Sequence, residues 1–245
     1  MIKEEGRRMI SVIIPAYNEE KRITKTLEKI YEVMSCQNDA FEILVVSDGS
    51  TDQTNYVVES FNKQEIFLLS YEKNRGKGGA VKFGIENAKG ECIAFMDADL
   101  PYPPEKITEA CGMLKNGADV VLGMRVESGH DGKYPWYRKL MSKGFGFFVT
   151  LVLGLKEKDT QCGFKAFKKE AAQNIFKRMT LSGWGFDVEM IFLAEKLRYS
   201  IERIKVSLFH EKTGSKVKAF HDTFKMMKEV FSVRKNYKKG NYKLS

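Results

Sequence analysis

Asp97 and Asp99 stand one residue apart at the end of a short apolar run, Ile93-Ala94-Phe95-Met96. That run reads as a buried strand, too short and too apolar for a surface loop. At a period of two, both carboxylates leave the strand on one side and reach a common site. Two ionised carboxylates that close repel each other unless a cation or a proton lies between them. A hard divalent ion, Mg²⁺ or Mn²⁺, that also carries a substrate's phosphates meets that requirement. The same residues also read as a plain helix start, with Asp99-Leu100-Pro101 capping the segment after Pro103-Pro104, and Asp-x-Asp alone does not separate the two readings.

The elements around the pair favour a site. Apolar runs predict strands at 9–14, 41–46, 66–70, 91–96 and 118–123, and helical spacing predicts helices at 19–34, 53–61, 78–88 and 104–116. Such alternation argues for an α/β fold, a mainly parallel sheet flanked by helices. Ligands of such sheets bind at the carboxyl ends of the strands. The turns after Ile14, Val46 and Met96 all fall on that edge. The second half changes character: a polar loop at 128–133, a helix at 136–155 with an apolar far half, and a turn and short strand at 159–167. A helix at 183–197, an extended segment at 201–209 and an amphipathic helix at 220–233 follow, the last with Phe220, Phe224, Met227 and Phe231 on one face. With no internal repeat, the chain reads as one catalytic-type domain, 1–211, and a basic amphipathic extension, 212–245.

Composition narrows the function classes. A chain of 245 residues, 43% hydrophobic and 30% charged, builds a soluble globular core. Cys36, Cys92, Cys111 and Cys162 are widely spaced, which predicts thiols in a reducing compartment and neither zinc nor a disulfide framework. Residues 1–8 are charged and lead straight into a strand, so no signal peptide is expected. The longest apolar run, 145–155, falls short of the roughly 20 residues of a spanning helix. Ten Lys and Arg against two acids give residues 212–245 a charge of +8, out of +9 for the chain. Such a tail suits an anionic membrane surface, a nucleic acid, or simply a solvated helix face. Nucleic acid is disfavoured as a partner, because Asp48, Asp97 and Asp99 converging on one edge would repel its phosphates. His130, His210 and His221 lack metal spacing, and Gly76-Lys77-Gly78-Gly79 departs from the dinucleotide fingerprint at Val81.

Three motifs in order then carry a resemblance: Val12-Ile13-Ile14-Pro15-Ala16-Tyr17-Asn18-Glu19-Glu20, Ser47-Asp48-Gly49-Ser50-Thr51-Asp52, and Asp97-Ala98-Asp99. Together they resemble family 2 glycosyltransferases of the GT-A fold. Three later segments, Asp159-Thr160-Gln161-Cys162-Gly163-Phe164-Lys165, Trp184-Gly185-Phe186-Asp187-Val188-Glu189 and Gly214-Ser215-Lys216, are similar to those of the dolichyl-phosphate β-glucosyltransferases. The resemblance spans roughly 9–237. It implies transfer of glucose from UDP-glucose to a polyprenyl or dolichyl phosphate, with Mg²⁺ or Mn²⁺ on Asp97 and Asp99. It implies a nucleotide site at Pro15, Ala16, Tyr17, Glu19, Asp48, Lys77, Asp97 and Ala98, and catalytic roles for Asp99, Asp187, Glu189 and Arg125. Asp52 reads mainly as a turn and helix-start residue. Ser47 stands where the family motif begins with Asp. Pro101 stands where mannosyl-transferring relatives carry Gln, which tilts the reading towards glucose over GDP-mannose.

A phosphate monoester is already ionised near neutral pH, its second pKa being about 6, so it needs gathering cations more than a strong base. Arg125, Arg138, Lys143 and Lys165 are the candidates. A lipid-borne acceptor also requires a membrane surface, for which 145–155, the helix at 220–231 and the basic tail are the candidate contacts. The chain is thus expected to be cytoplasmic and peripheral on the cytoplasmic face of a membrane. The rival readings are the same fold with a soluble saccharide acceptor, using a general base at Asp187 or Glu189, and a nucleotide-binding protein without catalysis.

Overall fold

A computed structural model of the chain describes residues 9–126, 136–157, 159–207 and 219–244, and within 136–143 and 219–224 it describes the backbone alone. The elements are β1 (Met9–Ala16), α1 (Ile23–Ser35), β2 (Ala40–Asp48), α2 (Thr54–Glu59), β3 (Ile66–Tyr71), α3 (Lys77–Asn87), β4 (Cys92–Phe95) and α4 (Glu105–Lys115). There follow β5 (Val120–Val126), α5 (Trp136–Leu153), β6 (Lys165–Lys168), α6 (Lys169–Arg178), α7 (Phe186–Lys196), β7 (Ile201–Ser207) and α8 (Ala219–Lys238). The polar loop at 128–133, the Gly214-Ser215-Lys216 motif, His130 and His210 lie outside the described residues.

Seven strands form one sheet in the order β3-β2-β1-β4-β6-β5-β7. All neighbours are parallel except β6, which runs antiparallel to both β4 and β5. The α/β expectation holds, and the inverted β6 is its main refinement. Pro15 continues β1 opposite Val46, whereas pairing to β4 runs only from Ile10 to Ile13. The missing N–H therefore lies where one flank of the strand is already open. Successive β1 side chains enter opposite cores: Ile13 packs with Phe95, Phe167 and Phe186, while Val12 and Ile14 pack with Ile23, Leu27 and Ile107. Helices thus cover both faces. Unpredicted α6 buries Ala171, Ala172, Ile175 and Phe176.

Two expectations change. Cys92 and Cys111 form a disulfide, with Cα atoms 6.0 Å apart and a separation of 19 positions in the chain. Only the packing of α4 against the sheet brings them together, so their spacing carried no signal. Cys36 and Cys162 are free. The second change concerns 212–245: among the described residues, Val230, Val233 and Tyr242 belong to the same core as the sheet. Tyr242 is fully buried, and its hydroxyl donates to Glu189 Oε1 at 2.7 Å. This part of the tail is a structural layer of the domain, held by apolar burial that its charge had masked.

Replacing Tyr242 by Ala is expected to lower the unfolding free energy by about 3 kcal/mol or more, since a buried ring and its hydrogen bond are both lost. Urea unfolding followed by circular dichroism checks this. A loosely appended tail would leave the main transition where it was.

Candidate active site

Asp97 and Asp99 lie on the turn that follows β4. Met96 extends the pairing by donating its N–H to Ile13 O at 3.0 Å. The turn is closed by Leu100 N–H on Asp97 O at 3.1 Å, and it is tied to α1 by Thr26 Oγ1 donating to Ala98 O at 2.6 Å. Leu100 has φ of +48°, a left-handed conformation that costs a branched side chain about 1–2 kcal/mol and is typical of functional turns. Gly163 packs directly under the Asp97 carboxylate, where any Cβ would collide with it. Its N–H donates to Tyr102 Oη at 3.3 Å.

Charge balance at this turn comes from α3. Lys77, the first residue of that helix, places Nζ 2.5 Å from Asp97 Oδ1. Burial alone would lower the Lys77 pKa, but the charges of Asp97, Asp187 and Asp99 outweigh it and hold the ammonium above its ordinary value. Behind it, buried Lys165 sits 2.6 Å from Asp187 Oδ1 and donates to Cys162 O at 2.6 Å. Charges therefore alternate from Lys165 through Asp187 and Lys77 to Asp97, and then two carboxylates meet. The Asp99 carboxyl is pushed above its ordinary value, first by the protein crowding it and then by the charge of Asp97, with Arg22 acting in the opposite direction. Asp99 is nevertheless open to the cleft.

A cleft of about 610 Å³ collects this turn and the neighbouring strand ends. Pro15, Ala16, Tyr17, Glu19, Asp48, Lys77, Asp97, Ala98 and Asp99 all line it. At the β2 end, Asp48 Oδ1 accepts from Tyr71 Oη at 2.8 Å and from Arg75 N–H at 2.7 Å. Asn74 Nδ2 donates to Asp48 O at 2.9 Å, and the Arg75 guanidinium lies 4.2 Å from the Tyr71 ring centroid. The turns after β1 and β2 are laced together: Thr51 N–H donates to Asn18 Oδ1 at 2.8 Å and Glu20 N–H to Asp52 Oδ2 at 3.2 Å. Asp52 also accepts the Thr54 N–H at the start of α2, the structural role its position suggests.

Other expected site residues are placed elsewhere. Glu189 is fully buried and accepts from Thr180 N–H, Thr180 Oγ1, Leu181 N–H and Tyr242 Oη. The partner that a buried carboxylate demands is supplied here by backbone and hydroxyl donors. Lys165, expected at an acceptor phosphate, is buried, pairs with Asp187 and does not line the cleft. Arg125 grips Asp159, with Nε 2.9 Å from Oδ2 and Nη2 2.6 Å from Oδ1, and does not line the cleft. Arg138 and Lys143 belong to α5, and their side chains lie outside the described residues. The cleft also gains residues that went unassigned: Arg22, Asn74, Gly76, Gly183, Trp184 and Lys225. Trp184 sits in a motif visible in the sequence. Lys225, on a helix far along the chain, had no such signal.

Gly76-Lys77-Gly78-Gly79 proves to be a packing device. Gly78 and Gly79 N–H groups both donate to Ser182 O, at 2.9 and 3.4 Å. Gly76 has φ of +83°, and a Cβ there would lie 2.6 Å from that same carbonyl oxygen. The helix N-terminus is thus capped by the 180–185 loop, which fixes the direction of Lys77. Among the described residues, no group of three or more His, Cys, Asp or Glu gathers to hold a metal by itself. The like-charged Asp97 and Asp99 pair fits a hard divalent ion that takes its remaining ligands from a diphosphate and water.

Comparison with known proteins agrees with this geometry. The profile described as Glycosyl transferase family 2 matches residues 11–176. The chain is 34% identical over 251 residues to the dolichyl-phosphate beta-glucosyltransferase of Dictyostelium discoideum, covering 96% of this chain and 76% of that protein. It is 32% identical over 260 residues to the Homo sapiens protein of that name, covering 99% and 80%. Among solved structures it is similar to glucosyl-3-phosphoglycerate synthase from Mycobacterium tuberculosis in complex with Mn²⁺, UDP-glucose and phosphoglyceric acid. The TM-score is 0.66 at 20% identity, covering 93% of this chain and 78% of that one. Mannosyl-3-phosphoglycerate synthase from Rubrobacter xylanophilus gives a TM-score of 0.69 at 16% identity, covering 95% and 75%. At such identities the structural likeness is one of fold, and the fold is GT-A.

If Lys165 and Asp187 are a structural pair, Lys165→Met alone should cost about 3 kcal/mol or more, because it strands a buried carboxylate. Adding Asp187→Leu should return most of that loss. Thermal and urea unfolding of the single and double variants measure it, and a double variant no more stable than the single would refute the pairing.

Proposed function

The chain belongs to the family 2 glycosyl transferases, and on that premise we propose that it moves glucose from UDP-glucose to the phosphate of a dolichyl-type polyprenol at a membrane surface. The observation that carries this reading is the single cleft holding the Asp97 and Asp99 pair, Lys77 and the β1 and β2 strand ends. The names of the relatives, at 30–34% identity over nearly the whole chain, supply the sugar and the acceptor.

In this proposal Pro15, Tyr17, Glu19 and Asp48 receive the uridine, with a carboxylate oxygen of Asp48 accepting from the uracil N–H. Asp97 and Asp99 hold Mg²⁺ or Mn²⁺, which when bound supplies Lewis-acid neutralisation of the leaving diphosphate. Lys77 brings a fixed positive charge to the same place. The acceptor phosphate oxygen bonds to the sugar C1 while the bond from C1 to the diphosphate oxygen breaks, and UDP departs with that electron pair. Attack from the far side inverts the anomeric centre. No strong base is needed for an ionised phosphate, which accords with Asp187 and Glu189 both being engaged internally. Lys225, which lines the cleft, is the cation this proposal places on the acceptor phosphate, with Arg138 and Lys143 of α5 as further candidates, whereas Arg125 is held by Asp159.

No described helix is long and apolar enough to cross a membrane. An apolar patch does face outward: Phe147 and Leu151 on α5 are 72% and 71% exposed, and Phe231 on α8 is 53% exposed. The Phe231 ring meets Phe148 edge-on at 5.3 Å, so the two helices present one surface. Exposed Arg234, Lys235, Lys238 and Lys239 follow it on α8 and the turn beyond, and each basic side chain near anionic lipid contributes about 1 kcal/mol. This patch supports the membrane-surface reading of α5 and α8.

Incubation with a panel of radiolabelled UDP- and GDP-sugars, polyprenyl phosphate and Mn²⁺ should carry label into the organic phase with UDP-glucose. Chelation, or Asp99→Asn, should lower the rate by at least about a hundredfold. Label from GDP-mannose, or transfer only to a soluble saccharide, would overturn the substrate assignment while leaving the family intact. In a separate measurement, joint replacement of Phe147, Leu151 and Phe231 by Ser should weaken co-sedimentation with anionic liposomes by at least about tenfold, given about 1.5–3 kcal/mol per buried large apolar side chain.

A further inference from the structure

The cleft has a wall formed by Gly183, Trp184 and Lys225, and of these only Lys225 has a role above. Trp184 is 40% exposed, although Phe186 two residues later is fully buried. Its loop is held at three places. At the start, Thr180 and Leu181 N–H groups donate to Glu189. In the middle, Ser182 O caps α3 through Gly78 and Gly79. At the end, Gly185 N–H donates to Glu229 Oε2 of α8 at 2.7 Å. A Cβ at Gly183 or Gly185 would press on that same Glu229 carboxylate, at 2.7 and 2.5 Å. An open indole on so firmly fastened a backbone is a prepared contact surface, because the ordering entropy has been spent before any ligand arrives.

Its position says what it contacts. Lys77 Nζ lies 2.5 Å from Asp97 and 5.9 Å from the Trp184 ring centroid, so the indole borders the place where the diphosphate would sit. The Asp48, Tyr71 and Arg75 cluster forms the nucleoside end, and Trp184 takes no part in it. A hexose attached to the second phosphate extends away from the nucleoside, which brings it to this wall. One face of a pyranose carries axial C–H groups that pack on an aromatic ring, while its hydroxyls stay free for polar partners at the rim.

We infer that the Trp184 indole is the platform on which the transferred hexose of the donor rests, a specificity-determining contact that orients C1 towards the acceptor. The inference rests on the nucleotide-sugar reading above and deepens it. It assigns the hexose a surface on the 180–185 loop, distinct from the carboxylates that hold the diphosphate.

Calorimetric titration of the full chain, with Mn²⁺ at a fixed concentration, tests it using UDP and UDP-glucose as separate probes. Trp184→Ala should bind UDP within about twofold of the wild type, yet lose about tenfold in affinity for UDP-glucose. Trp184→Phe, which keeps an aromatic face, should recover most of that loss. Unchanged UDP-glucose affinity in Trp184→Ala, an equal loss of UDP and UDP-glucose in both variants, or a rise in acceptor KM alone would each overturn the platform. A wild type that transfers glucose beside a Trp184→Ala variant with normal UDP-glucose affinity overturns this inference only. A wild type that binds neither probe overturns the proposed function with it.

Discussion

Two carboxylates at the end of a buried strand demand positive charge within a few ångströms, and much of this molecule is arranged to provide it. At a separation near 4 Å and an effective dielectric of about 20, each unit-charge pair is worth about 4 kcal/mol before desolvation, so placement decides the sign of the balance. Lys77 answers Asp97, Asp187 stands behind Lys77, and Lys165 in turn answers Asp187. Among the described residues, Asp97 has a direct ion pair with Lys77, while Asp99 faces the cleft beside that like charge with only Arg22 acting against it. That residual imbalance is what a divalent ion and a diphosphate together relieve.

The same requirement accounts for the internal partners that the acids of α7 have. Asp187 is buried against Lys165, and Glu189 gathers four donors from the 180–181 backbone, Thr180 and Tyr242. Glu229 does for the end of the 180–185 loop what Glu189 does for its start. Carboxylates are well suited to this work, since their two oxygens accept from several backbone N–H and hydroxyl donors at once. The consequence is that α8 and the chain end are fastened to the active-site loop, and the terminal layer cannot loosen without disturbing the cleft.

The helices α5 and α8 serve two environments at once. Val149, Leu153, Val230 and Val233 face the core, while Phe147, Leu151 and Phe231 face outward. A purely core helix would bury that outer stripe, and a helix that only floated beside the domain would not seat the inner one. The arrangement puts an apolar surface on the same helix, α8, that contributes Lys225 and Glu229 to the neighbourhood of the cleft. Polar chemistry and apolar surface thus share one rigid element.

Much of this was legible before any coordinates. Strand alternation located the edge, and nine residues named from motifs, from Pro15 to Asp99, line one cleft because they end or follow neighbouring parallel strands. Periodicity and turn chemistry are local, and each strand end is specified by its own neighbours in sequence. What remained hidden were the partnerships across long separations: Lys165 with Asp187, Arg125 with Asp159, Cys92 with Cys111, and Glu189 with Tyr242. A charged residue in a list has the same formal charge whether it is free for a ligand or already matched, and only packing shows which. Residue types and order alone therefore determined the family, the sheet and the acidic edge. Tertiary structure decided which of those charges are left over for chemistry, because neutralisation depends on distance through space and the chain encodes distance only by folding.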